Sequence, residues 1–303
     1  MSSATVPSTA TEAWLALIVG NTRLHWGYSQ GDRLLSVWHT PHLERHQALQ
    51  IQSTQFSADA WQRVPELVQA EVTNQPSRSL LSKSQPSTER SPQSLWIASV
   101  VPSQTAIWAN QRASDSERTH PVPAYVVERS QIPLQNIYPT LGIDRAINLL
   151  GAGRSLGWPV LVVDAGTALT FTAGKEGTVS GGAILPGMTL QALTLHQKTA
   201  DLPLVDDWTT EQRTDLPDRW SVTTPGAIAS GIVYGTLSTL QDYLADWWQQ
   251  CPRGKVVLTG GDGPKLCALL QQKTPEIASR VTVDNHLMFK GIAHYRKGAM
   301  LLL

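Results

Sequence analysis

Cysteine is scarce in this chain: only Cys251 and Cys267 occur. Two thiols without C-x-x-C spacing supply neither a disulfide framework nor a metal or redox motif, and they fit a reducing compartment. Net charge is lacking too. The 24 basic and 24 acidic residues cancel, which speaks against nucleic acid and against an anionic membrane surface as partners. No apolar run reaches the roughly 18 residues of a membrane span. Residues 1–13, largely Ser, Thr and Ala, have neither the basic nor the apolar region of a signal peptide. They read as a flexible tail on a soluble, cytoplasmic protein whose partners are small molecules or other proteins. Several catalytic signatures are also missing. The absence of G-x-x-x-x-G-K-[ST] excludes a P-loop, and no G-x-G-x-x-G follows the first strand, which argues against a Rossmann dinucleotide site. H-E-x-x-H and G-x-S-x-G do not occur either. The eight histidines are scattered along the chain and read as ordinary surface or core residues.

What is present is a repeated pattern. At 303 residues the chain is long enough for two domains of about 150 residues. The apolar run 14–19 ends at Gly20-Asn21-Thr22, after which Leu24, Trp26 and Tyr28 alternate with Arg23, His25 and Gly27. This predicts strand, tight turn, strand, and Gly31-Asp32 then turns the chain into a third strand over 34–38. Residues 42–71 are helical in part. Residues 73–93 are rich in Ser, Gln and Pro and read as a surface insertion. Residues 95–101 return to strand, ending at Pro102, and 125–127 is another short strand.

A helix is expected from near Gly142 through Leu149 and Leu150 towards Arg154. The apolar strand 159–163 then runs into Asp164-Ala165-Gly166-Thr167, followed by a returning strand over 168–172 and a turn at 174–177. Segments 15–38 and 160–184 therefore share one grammar, and their offset of about 145 residues argues for two domains built on the same core. Met188, Ala192 and Leu195 fall at helical spacing. Thr224 reads as an N-cap with Pro225 at the first helical position, followed by the small-residue stripe Ala227, Gly231 and Gly235. Strand 255–258 leads into Thr259-Gly260-Gly261-Asp262-Gly263. The expected division is a tail over 1–13, one domain over 14–141 and a second over 142–303.

Three glycine turns thus follow directly on apolar strands: Gly20-Asn21-Thr22, Asp164-Ala165-Gly166-Thr167 and Thr259-Gly260-Gly261. Glycine lets backbone N–H groups approach phosphate oxygens, a hydroxyl can donate to them, and a carboxylate at a strand end can hold a cation. Any one of these turns, taken alone, reads as an ordinary hairpin turn. All three in this order suggest a nucleotide cleft between two α/β domains.

Several stretches resemble the type III pantothenate kinase family, in that family's order. They are Val19-Gly20-Asn21-Thr22, Ser99-Val100-Val101-Pro102, Gly142-Ile143-Asp144-Arg145, the run from Asp164 to Thr170, Gly181-Gly182 through Pro186-Gly187, Thr199-Ala200-Asp201-Leu202-Pro203 and Thr259-Gly260-Gly261. The resemblance implies a homodimer of duplicated ribonuclease-H-like, actin-like domains. Its reaction would be transfer of the γ-phosphoryl group of ATP to pantothenate, the first step of coenzyme A synthesis. It makes Asp144 the general base, with Gly142, Ile143, Arg145, Thr224 and Tyr138 around pantothenate. It places Gly20, Asn21, Thr22, Arg23 and Thr167 at ATP, and Asp164 at a monovalent cation, K⁺ or NH₄⁺, with Mg²⁺ on the nucleotide. One position departs from the pattern: Ile18 stands where the family carries an aspartate two residues before Gly-Asn-Thr. That departure motivates a second expectation, a catalytically silent homologue acting as a regulatory or binding protein.

Overall fold

The computed structural model describes residues 12–57, 60–61, 91–109, 122–205 and 215–300. Most of the expected insertion at 73–93, and residues 1–11 of the expected tail, lie outside the described residues. Ala13, assigned to the tail from the sequence, is instead the first residue of a strand. Glu12 is held as well, its carbonyl accepting from the Gly31 amide and its carboxylate paired with Arg296.

The elements, in chain order, are β1 (Ala13–Val19), β2 (Leu24–Gln30), β3 (Arg33–Thr40), α1 (Arg45–Ser53), β4 (Leu95–Ser99), α2 (Pro102–Ala109), β5 (Ala124–Val126), α3 (Ile143–Leu156), β6 (Val160–Ala165), β7 (Ala168–Lys175), β8 (Thr178–Pro186), α4 (Met188–Lys198), α5 (Thr224–Gln250), β9 (Lys255–Thr259), α6 (Gly263–Lys273), β10 (Val281–Val283) and α7 (Leu287–Met300). The strands form two five-stranded sheets, ordered β3-β2-β1-β4-β5 and β8-β7-β6-β9-β10. In each, a three-stranded antiparallel meander is extended by two parallel strands on the other side of the first strand. The repeat read in the sequence is thus a repeat of whole sheets. In the pairing, Ile18 and Asp164 hold the same place, the last residue but one of the central strand.

The chain divides into two compact units. One comprises Met1–Ile132, Gly142–Asp144 and Tyr295–Leu303, the other Pro133–Leu141 and Arg145–His294. The sequence suggested a single cut after residue 141. Here α3 and α7 each run through the division.

In the first unit β1 is buried along its whole length, as expected for a central strand covered on both faces. Leu15, Leu17 and Val19 face the same core as Leu24 and Trp26, because the register pairs Leu17 with Trp26 and Val19 with Leu24. That core is aromatic. The Trp26 ring lies 4.9 Å from Trp61 and 4.7 Å from Trp108, edge-on in both cases, and is stacked with Trp38 at 6.3 Å. On the other face Trp96 stacks on Tyr125 and meets the Tyr295 ring edge-on, while the Arg296 guanidinium lies 5.0 Å over Trp14.

In the second unit Leu161, Val163 and Ala165 of β6 pack with Ile228, Ile232, Leu237 and Leu240 of α5 and Leu266 of α6. Helix α3 is buried continuously from Arg145 to Gly153. It approaches α7 backbone to backbone: a Cβ on Gly151 would overlap Leu287 and Gly291, and one on Gly291 would overlap Ile147. Turns fall where the sequence placed them, with Gly31 at φ 55° and the Glu176-Gly177 pair at φ 50° and 77°. Two successive left-handed residues suit a tight β-hairpin. The start of α5 differs by one residue. Its N-cap is Thr223, in extended conformation with its hydroxyl accepting from the Gly226 amide, and Thr224 is already helical. Two adjacent threonines before a proline offer the same cap chemistry, and the backbone uses the first.

Candidate active site

Several residues singled out from the sequence lie on α3 and on β6 and its following turn. Gly142 precedes α3, Ile143 opens it, and Asp144 lies in its first turn, where a carboxylate interacts favourably with the helix dipole. Arg145, only 6% exposed, donates from Nε to the Thr172 hydroxyl at 2.9 Å, from Nη2 to the Phe171 carbonyl at 2.9 Å and from Nη1 to the Tyr138 hydroxyl at 3.1 Å. Charge-assisted bonds to several acceptors make a buried guanidinium tolerable. A Cβ on Gly182 would overlap both Arg145 and the Phe171 carbonyl, so this glycine makes room for the guanidinium. Tyr138, 37% exposed, thereby has its hydroxyl fixed while part of its ring meets solvent.

One helical turn after Asp144, Asn148 is 1% exposed and donates from Nδ2 to Asp164 Oδ2 at 2.9 Å. The other carboxylate oxygen, Oδ1, faces the glycine turns. It is 3.9 Å from where a Cβ on Gly166 would stand, and a Cβ on Gly260 would overlap it together with the Ala165 carbonyl. Gly260 has φ 85°, a conformation that glycine alone adopts readily. The two turns are tied together, the Asp262 amide donating to the Ala165 carbonyl at 2.9 Å. The Gly187 amide binds the Thr167 carbonyl at 2.9 Å, leaving the Thr167 side chain exposed. Burial pushes the Asp262 carboxyl above its ordinary range, partly opposed by Lys265. Thr224, in the first turn of α5, is exposed.

In the first unit the Gly20 turn is closed by a bond from the Gly20 amide to the Arg23 carbonyl at 3.0 Å, and Asn21, Thr22 and Arg23 are exposed. The histidines are less scattered than the sequence implied. His42 Nε2 donates to the Gly20 carbonyl at 2.8 Å, and His25 Nδ1 lies 2.8 Å from His39 Nδ1. His25 is paired across the strands with Ile18 on one side and His39 on the other. Burial first, then His39 and Arg23, push the His25 imidazole down to about 4. Ile18 itself is 7% exposed.

Sequence reasoning gave no site role to Asn148, Thr172, the motif residue Gly182 or the histidine group. Asn148 had a usable signal, its position four residues after Asp144 on one helix face. The others depend on strand register.

Two α/β units of one strand order, each with a glycine turn at the end of its central strand, form the duplicated actin-like fold expected from the sequence. The sequence profile of the type III pantothenate kinase family matches residues 14–246. Among individual relatives, the type III pantothenate kinase of Nostoc sp. (strain PCC 7120 / SAG 25.82 / UTEX 2576) is 40% identical over 280 residues, covering 92% of each chain. That of Synechocystis sp. (strain ATCC 27184 / PCC 6803 / Kazusa) is 37% identical over 286 residues, covering 94% of this chain and 91% of the relative. A solved structure from Campylobacter jejuni, described as a Baf family transcriptional activator, aligns with a TM-score of 0.55 over 95% of this chain and 99% of its own, at 18% identity. At that identity the likeness concerns the fold. The chain belongs to the type III pantothenate kinase family.

Proposed function

We propose that this protein phosphorylates pantothenate with ATP, giving 4'-phosphopantothenate and ADP at the entry to coenzyme A synthesis. The observation that carries the reading is the Asp144 carboxylate in the first turn of α3, a helix fastened at its next residue to β7 through Arg145. In the reaction the pantothenate hydroxyl oxygen bonds to the γ-phosphorus, the bond to the β,γ-bridging oxygen breaks, and Asp144 takes the hydroxyl proton. Phosphoryl transfer requires positioning and charge stabilisation more than covalent chemistry. Arg145 serves pantothenate through Tyr138, whose hydroxyl it holds, and Gly142, Ile143 and Thr224 complete the acceptor's surroundings. Gly20, Asn21, Thr22, Arg23 and Thr167 offer backbone amides, hydroxyls and a guanidinium to the nucleotide phosphates.

The donor set at Asp164, a carboxylate oxygen facing two glycine turns rich in backbone oxygens, fits a large, weakly hydrated cation such as K⁺ or NH₄⁺. Bound there, it would supply positive charge near the phosphates. Mg²⁺ would enter on the nucleotide, whose phosphates are its usual ligands.

A homodimer is proposed as well, supported by the solvent-facing Trp220 and Val222, 89% and 101% exposed, just before Thr224. Among the described residues no helix is long and apolar enough to cross a membrane, and a cytoplasmic site of action fits the substrates. One observation favours the regulatory alternative: Ile18 occupies the strand position at which the second sheet carries Asp164. The deciding experiment is ADP release coupled to NADH oxidation, with and without pantothenate. Pantothenate-dependent release supports the kinase. ATP binding without turnover, at any K⁺ or Mg²⁺ concentration, replaces it with the silent homologue.

A further inference from the structure

We propose that Asn148 is a positioning residue for the reaction: its Nδ2 fixes Asp164 Oδ2 and so turns Oδ1 towards the Gly166 and Gly260 turns, where a monovalent cation is held. The inference rests on the reading of Asp164 as that cation's ligand and assigns the residue that makes the ligand competent.

Three observations carry it. Asn148 is nearly inaccessible, so its amide is committed to protein partners. Its orientation is fixed by chemistry, because an ionised carboxylate only accepts and the amide nitrogen must therefore face it. That orientation leaves Asn148 Oδ1 buried with no hydrogen-bond partner among the described residues. A side chain kept only for packing would not need to strand a buried carbonyl oxygen, which is a destabilising arrangement. An apolar side chain of the same shape would avoid it. The amide is retained for what its nitrogen does to Asp164.

The consequence follows from the two oxygens of one carboxylate. With Oδ2 drawn back to α3, Oδ1 points to the turns. Loss of the Asn148 bond removes the anchor on Oδ2 and eases rotation about χ2, a soft torsion, which weakens the hold on Oδ1. Asn148 also lies on the helix that carries Asp144. Successive turns of α3 therefore carry the proposed base and the residue that orients the proposed cation ligand.

The test uses the full-length protein and K⁺ itself as probe. Thermal melts are recorded across a KCl titration balanced with choline chloride, and K⁺ half-saturation of pantothenate phosphorylation is measured in parallel. The variants are Asn148→Leu, which keeps the volume without the donor, Asn148→Ser, which leaves space for a small donor and a bridging water, and Asp164→Asn as reference. For Asn148→Leu the expected result is a half-saturation for K⁺ raised about tenfold or more, in line with a lost bond to a charged group, with the K⁺-dependent rise in melting temperature diminished in step. Asn148→Ser should fall between this variant and the parent. A residue that only supports the fold would lower the melt equally in both salts and leave the K⁺ increment intact. That outcome overturns the proposal, provided Asp164→Asn has lost the increment. If Asp164→Asn keeps the increment, the cation reading fails and the role of Asn148 falls with it. Should Asn148→Leu not fold, the serine variant decides alone: weakened K⁺ half-saturation supports the proposal and parental half-saturation overturns it.

Discussion

Acidification should destabilise this protein through one imidazole. His25 is shifted from the ordinary 6.5 to about 4 by burial, by His39 and by Arg23, so the folded chain keeps it neutral where the unfolded chain protonates it. The unfolded state then binds the extra proton, and stability present above about pH 6.5 is lost progressively as pH falls towards about 4. Each tenfold change in proton affinity is worth about 1.4 kcal/mol, which bounds the effect at about 3.5 kcal/mol. Solvent around the partly exposed ring screens the charge, so about 1–2 kcal/mol is expected by pH 5. The geometry explains why the loss is specific. The His25 and His39 Nδ1 atoms are 2.8 Å apart, a distance at which one proton is shared and a second places two charges together. Urea unfolding at pH 7.5 and pH 5, parent against His25→Gln, isolates the imidazole from the carboxylates that also titrate. The parent should lose about 1–2 kcal/mol more than the variant. Equal losses, within about 0.3 kcal/mol, would refute the assignment. His39→Gln should give part of the same relief, since burial and Arg23 still act on His25.

Asp144→Asn should lower turnover by about 10²- to 10⁴-fold while ATP affinity and the melt stay near parental values; turnover within a factor of three removes Asp144 from the mechanism. Ile18→Asp places a carboxylate next to His25 across the strands and should raise the His25 titration by about 1–3 units, measured by NMR. It should also lower the Mg²⁺ needed for half-maximal rate, and no change in Mg²⁺ demand in a folded variant means that residue 18 does not serve the phosphates. Gly260→Ala combines a positive φ with overlap onto the Ala165 carbonyl and should cost about 1–3 kcal/mol in urea unfolding, with activity lost alongside. Thr223→Ala removes the α5 cap and should cost about 1 kcal/mol of stability with the pantothenate KM unchanged, whereas Thr224→Ala should raise that KM and leave the melt nearly unmoved.

Much of the architecture was legible because strands and turns write a local code. The alternation at Leu24, Trp26 and Tyr28 and the x-Gly-x-Thr turns marked both meanders, and their recurrence announced the second sheet. Helix α3 was legible from its apolar spacing. What escaped was set by long-range register. Arg145 meets Thr172 only because β7 pairs beside β6, 27 residues along the chain, and nothing near Arg145 in sequence names its acceptors. His25 and His39 are neighbours only because two strands pair residue to residue. The α5 cap was missed by one position because Thr223 and Thr224 are chemically equivalent until the backbone chooses between them.

The indoles packed in the first core have a further consequence. Trp26, Trp38, Trp61 and Trp108 have their rings locked at fixed angles within a few ångströms of one another. Transition dipoles held so close and so rigidly couple, adding a circular dichroism signal that changes when any member is freed. In the second unit, Trp247 and Trp248 lie in an aliphatic core without such a partner set among the described residues. The first core thus carries its own optical label, by which the melting of one sheet can be followed separately from that of the other without adding any dye.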